Sequence, residues 1–221
     1  MDTPDDLARR GWRDYSPLFL RIYDLQVLGV FAPYIWRCPA KDMIAGYRRN
    51  MRGNHLDVGP GTGYFLEPSR RPVVTSLTIL DPNPNVLRHV TRRLRGVALT
   101  AVEADVLKPL PFEERFDSAG MNGVIHCLPG PPERKERAIE HVAAVLAPDG
   151  VFFGSTVLGR SGNHNWIARR VIGPFNRRGA FDNLDDSEDW LRSALERHFS
   201  SVEIEIVGSM AIFGARNPRA T

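Results

Sequence analysis

The sequence predicts an α/β fold built on a seven-stranded, mostly parallel sheet with helices on both faces. Three observations carry this. From Asn54 onward, short aliphatic runs alternate with amphipathic helical segments, the pattern of parallel strands joined by covering helices. The first run, His55–Val58, enters a glycine-rich turn, Gly59-Pro60-Gly61-Thr62-Gly63. The last two runs meet at Gly208-Ser209 with no helix between them, so a hairpin adds an antiparallel last strand.

The elements follow in order. Residues 7–37 are helix-prone and aromatic, with Phe19, Ile22 and Tyr23 on one helical face, and Pro17, Pro33 and Pro39 are expected to divide them into short pieces. With a short helix over Asp42–Arg49 they make an N-terminal helical cap, residues 1–50. Strand Thr75–Leu80 ends at Asp81-Pro82-Asn83-Pro84, and Pro84 suits the first turn of a helix carrying Val86, Leu87 and Val90. Strands are expected at Ala98–Glu103 and Phe116–Met121, then an amphipathic helix at Glu133–Leu146 with Ile139, Val142, Ala143 and Leu146 on one face. Pro148-Asp149-Gly150 turns into strand Val151–Val157. A polar, arginine-rich insertion, residues 159–186, interrupts the alternation. Helix Trp190–Phe199 and strands Val202–Val207 and Met210–Ala215 complete one expected domain over 1–221.

Composition narrows the class. The chain has 221 residues, 43% hydrophobic and 25% charged, which is ordinary for a globular protein able to bury a full core. Its 29 bases against 26 acids give a mixed surface with a mild positive excess, so no nucleic-acid partner is expected. Lys41, Lys108 and Lys135 are the only lysines; arginine carries the remaining positive charge. Cys38 and Cys127 are far apart and form no metal-ligand pair, so buried free thiols and no metal site are expected. The acidic start has no basic-then-apolar leader pattern, and no apolar run approaches the roughly 20 residues that span a bilayer. A cytoplasmic setting without membrane contact is the expectation; the oligomeric state is not legible.

The chemistry lies at the strand ends. In an open parallel sheet, ligands bind outside the carboxyl ends of the strands. Here the first three strands end in acids at equivalent places: Asp57, Asp81 and Asp105. Asp81 follows Gly61 by 20 residues, the spacing at which a carboxylate accepts ribose hydroxyls; it would also serve as a helix cap. A dinucleotide fingerprint requires glycine at the position held by Tyr64, whereas the third glycine is Gly63. Asp57 beside the turn would repel a pyrophosphate and suits a cationic ligand end.

At these residues the chain resembles the class I S-adenosylmethionine-dependent methyltransferases. The match runs in order through His55–Gly63, Leu80-Asp81, Ala104-Asp105-Val106, Phe116-Asp117, Val124–Pro129 and Leu146–Val151, and covers about Arg37 to Arg216. The resemblance implies a Rossmann-like sheet of order 3-2-1-4-5-7-6 and S-adenosylmethionine as cofactor. By the same resemblance, Gly59 and Gly61 let the backbone approach the methionine part, which Asp57 helps hold. Asp81, next to Pro82, takes the ribose, Asp105 with the Val106 backbone takes the adenine, and Asn122 sits beside the sulfonium. Tyr23 is a further candidate cofactor contact. Segments around Tyr15–Pro39 and Asn176–Asp186 resemble a small-molecule branch in which they cover the acceptor. The implied activity is methyl transfer to an O, N or C atom of a small metabolite, in secondary metabolism.

His126 follows the fourth strand, where the acceptor meets the methyl group in such folds; it would deprotonate or position the acceptor, or simply be held in its loop. Tyr15, Phe19, Trp36 and Trp166 are candidate acceptor contacts, or else core. The Arg160–Arg178 stretch is either a basic lid or a solvated helix. Non-methyl chemistry on the same cofactor, and a non-catalytic cofactor-binding role, remain open alternatives.

Overall fold

A computed structural model describes residues 24–69, 74–160 and 162–219. A π-type helix over Asp24–Ile35 is followed by α1 (Ala40–Asn50), β1 (Gly53–Val58), the short α2 (Leu66–Ser69), β2 (Val74–Leu80) and α3 (Pro84–Arg93). Then come β3 (Leu99–Val102), β4 (Phe116–Asn122), a 3-10 turn at Ile125–Cys127, α4 (Pro132–Ala144) and β5 (Leu146–Val157). α5 (Trp166–Arg177), α6 (Glu188–His198), β6 (Phe199–Val207) and β7 (Met210–Pro218) end the chain.

The seven strands form one sheet in the order β3-β2-β1-β4-β5-β7-β6. β1 pairs parallel with β2 and β4, and β4 with β5; β7 runs antiparallel to both β5 and β6. This is the Rossmann-like arrangement with the expected antiparallel last strand. Strand alternation sends Phe152 to one side and Phe153 to the other, and both are buried because helices cover both faces. Leu56, Met121 and Phe152 pack with Ile139 of α4 and Leu195 of α6. Leu77, Ile79 and Phe153 pack with Tyr47 of α1 and Val86 and Val90 of α3.

Several element ends differ from the sequence reading, and the expected Pro148-Asp149-Gly150 turn lies within β5; two differences are informative. Leu146 is the first residue of β5, paired with Phe116, and not the end of the preceding helix. Its place on the helix's apolar stripe is coincidental, because β5 also buries that face. Pro33 does not break the helix around it; winding is π-type there, and the Trp36 amide bonds Phe31 O five residues back. The cap is tied down by the last hairpin, where the Ser209 amide donates to Trp36 O at 2.8 Å. Among the described residues, no helix is long and apolar enough to cross a membrane.

Candidate active site

The glycine turn leaves β1 between β2 and β4. Gly59, Gly61 and Gly63 all have positive φ, 65°, 57° and 77°, which disfavours any side chain there. Their surroundings differ. A Cβ on Gly59 would sit 2.5 Å from Val124, and one on Gly63 would sit 3.1 Å from Val90. A Cβ on Gly61 would meet nothing within 4 Å. Gly61 therefore presents bare backbone to open space, the requirement for close approach of a ligand.

Asp81 ends β2 beside this turn. One of its oxygens accepts the Asn83 amide at 2.7 Å, and burial pushes its carboxyl up to about 7. A carboxyl in that state would be stabilised by further hydrogen-bond donors. Pro82 follows, half-buried, and Asn83 caps α3 by accepting the Asn85 amide. At the third strand end, Asp105 Oδ1 accepts the Leu107 amide at 3.0 Å, which shapes the loop. Val106 is buried, and its carbonyl accepts from His141 Nδ1 at 2.9 Å.

Asp57 and Asn122 sit differently from a simple ligand-facing pair. Asp57 is opposite Gly120 on β4, enclosed under α1 against Tyr47 and His55, and 1% exposed. Asn122 shares that face; its Oδ1 accepts from Ser155 Oγ, and its Nδ2 lies 3.6 Å from Met43 Sδ.

At the end of β4 the 3-10 turn fixes His126. The Val157 amide donates to its Nδ1 at 3.2 Å, so that nitrogen is an acceptor and the proton of the neutral ring is on Nε2. Thr156 Oγ1 is 3.3 Å from the same atom. Burial, with the nearby Lys135 charge, pushes the imidazole down to about 3. Phe181 from the insertion packs edge-on against the ring, centroids 4.4 Å apart. Phe181 in turn stacks on Phe175 and contacts Trp36.

The insertion is pinned to this spot. The Asp182 amide donates to His126 O at 2.9 Å, and the fully buried Asn183 donates to Val157 O at 2.8 Å. Lys135 of α4 donates to the Asp182 carbonyl and pairs with Asp186.

The structure thus brings Gly59, Gly61, Asp81 and Pro82 to the mouth between β1 and β2, and His126 to the end of β4. Trp36 reaches His126 only through Phe181 and is itself 4% exposed, a wall of the cap's core. Trp166 is not brought to the site: it opens α5, 72% exposed. Arg169, Arg170, Arg177 and Arg178 are exposed, the solvated arrangement of the two expected. Tyr15, Phe19 and Tyr23 lie outside the described residues. Both thiols sit high, at about 12, chiefly through burial. Thr156, Phe175, Phe181, Lys135 and Asp186 were not singled out from sequence; the rarity of lysine in an arginine-rich chain was the one signal for Lys135.

A methyltransferase-domain family model matches residues 36–201. Demethylluteothin O-methyltransferase of Streptomyces thioluteus is 39% identical over 207 residues, covering 93% of this chain and 90% of its own. The physcion biosynthesis cluster O-methyltransferase of Aspergillus chevalieri is 37% identical over 215 residues, covering 96% and 97%. Among solved structures, DhpI bound to S-adenosylhomocysteine (SAH) superposes with a TM-score of 0.69 at 17% identity, over 97% of this chain and 98% of its own. The N-methyltransferase NodS of Bradyrhizobium japonicum WM9, also with S-adenosylhomocysteine, gives 0.59 at 18% identity, over 81% and 85%.

Proposed function

The chain belongs to the class I S-adenosylmethionine-dependent methyltransferases that act on small molecules, and from that premise we propose that its acceptor atom is a hydroxyl oxygen held at His126. The observation that carries the proposal is the fixed tautomer of His126. With Nδ1 taken by the Val157 amide, Nε2–H is the polar group left for a ligand, and it donates. A donor at this point meets an acceptor lone pair, best that of an ionised oxygen, and repels an amine in its protonated form. The relatives' names, each an O-methyltransferase, support the same atom.

Bound S-adenosylmethionine supplies a methyl group on a sulfonium. The chain's part is to hold the two reactants and exclude water. The Gly59–Gly63 backbone would accommodate the methionine part at Gly61, Asp81 the ribose hydroxyls, and the Asp105–Val106 loop the adenine. Asp57 and Asn122 would act from beneath, shaping the strand ends. His126 would orient an acceptor oxygen that binds already ionised, its proton left to solvent, with Phe181 and Phe175 walling the site. A ring held neutral to about 3 with its free nitrogen already protonated is a positioning group, not a general base.

The test is a panel of small phenols, enols and amines incubated with methyl-labelled S-adenosylmethionine. Label appearing on hydroxyl compounds, with a mass gain of one CH2, is the expected result. Label confined to amines would overturn the oxygen assignment, and tight binding of S-adenosylhomocysteine with unlabelled products across acceptors would revive the non-methyl alternative.

A further inference from the structure

We propose that His55 is held as an imidazolium, sharing its Nε2 proton with Asp57, and is a positioning residue for the strand end that carries the cofactor turn. The ring lies in an enclosed network whose protons can be counted. Ser118 Oγ lies 2.7 Å from Arg52 O, a separation between two oxygens that requires the serine hydroxyl to donate. The same Oγ accepts the Arg52 amide at 2.9 Å. Its single hydrogen is therefore spent, and His55 Nδ1, 2.8 Å away, must be the donor of that contact.

A neutral His55 with its proton on Nδ1 would turn a bare Nε2 toward Asp57. Nε2 is 3.5 Å from Asp57 Oδ2, and the two side chains are 0% and 2% exposed. Both atoms are buried and neither makes a hydrogen bond, the other included. Two acceptors facing each other away from water is a costly arrangement, and one proton between them resolves it. The surroundings place that proton on the ring. Tyr47 of α1 bonds the Asp57 carboxylate, and its hydroxyl is pushed well above 10, by burial first and then by Asp57, so it stays a donor there. The Phe153 ring of β5 stacks on His55 with centroids 5.8 Å apart, a face that favours a cation. β4 contributes Ser118 and Gly120, and β2 brings the apolar Leu77 and Ile79 alongside. The Arg52 guanidinium points elsewhere, to Asp117 O and Asp149.

The consequence is local. Asp57 lies two residues before Gly59, and a Cβ on Gly120 would come within 2.7 Å of Asp57 Oδ2, so the carboxylate occupies the space that Gly120 leaves open. Paired, it locks the end of β1 in register with β4. Unpaired, it must move or take up a proton, and the turn moves with it.

Nitrogen NMR of the full chain with labelled histidine decides the first half without any cofactor. The six rings are assigned by single His→Gln substitutions. Both His55 nitrogens are expected to be protonated in the native chain, and Asp57→Asn should return the ring to a neutral form. An unprotonated Nε2 in the wild-type chain would overturn the proposal. The positioning half rests on the reading that the Gly59–Gly63 turn holds the cofactor, and calorimetry with S-adenosylhomocysteine separates the two. If the wild-type chain binds and His55→Gln weakens binding about tenfold, the role stands. If His55→Gln binds as the wild type does, the role is lost, whereas failure of the wild type to bind would count against the turn itself. Should His55→Gln not fold, Ser118→Ala, which removes the Nδ1 partner, is expected to weaken binding in the same direction, and unchanged binding there overturns the role.

Discussion

Lys135 Nζ lies 2.7 and 2.8 Å from the two carboxylate oxygens of Asp186, and neither side chain reaches solvent. The pair joins α4 to the end of the insertion, whose Phe181 covers His126. An ion pair so placed adds little net stability, because both charges lose their hydration. What it does is fix where the insertion crosses the acceptor side of the sheet.

Removing one partner strands the other. Lys135→Met is expected to cost about 3–5 kcal/mol, and Lys135→Met with Asp186→Leu to recover most of it. Urea unfolding monitored by tryptophan fluorescence checks both. A single variant that melts with the wild type would show that the clasp holds nothing.

For His126, the sign of the pH effect follows from its depressed state. The unfolded ring takes a proton near 6.5 and the folded ring only near about 3, so its contribution is full above 6.5 and is lost as pH falls toward 3. His126→Gln should flatten that acid limb of the stability curve. It should also lower turnover roughly 10- to 100-fold while S-adenosylhomocysteine affinity stays within about twofold. A turnover profile with an inflection near 6.5 that vanishes in the variant would instead make His126 a titrating base.

Much of this was legible in the sequence, for a physical reason. The period of apolar residues specifies which segments become strands and helices, and the glycine turn with Asp81 specifies where the first crossover leaves the sheet, so the topology followed. On the acceptor side His126 and the Asn176–Asp186 segment were expected, but which of their residues meet was not, because the contacts join distant segments. Phe181 meets His126 in the insertion that Lys135 and Asp186 clasp to α4, and no periodicity links positions 126, 135, 181 and 186. Trp166 shows the converse: an aromatic at the first position of a helix gives no sign of the face it takes. The alternation of β1 could have placed Asp57 on the α1 face, but not its enclosure by Tyr47 and His55.

Asp81 carries a second pH prediction. Its carboxyl sits at about 7 without ligand, chiefly through burial, and ribose hydroxyls donate best to the ionised form. Binding should therefore release a proton, and S-adenosylhomocysteine affinity should rise between pH 6 and pH 8, by up to about tenfold per unit below the titration. Calorimetry in buffers of different ionisation enthalpy reads the proton directly. Asp81→Asn should bind far more weakly and without this slope; a steep slope retained in that variant would assign the titration elsewhere.

The three glycines of the turn separate backbone strain from ligand approach. Alanine at any of them must adopt positive φ, at about 1–2 kcal/mol. Gly59→Ala adds a collision with Val124, and so should lose more stability than that. Gly61→Ala meets no protein atom, so its stability loss should stop at the strain, yet its methyl enters the space the ligand needs. Thermal melts should rank Gly59→Ala below Gly61→Ala, while calorimetry should find Gly61→Ala folded and at least about tenfold weaker for S-adenosylhomocysteine. If Gly61→Ala bound as the wild type does, the open space beside it would not be where the cofactor's methionine part lies, and the approach would have to come from the Asp81 side of the turn.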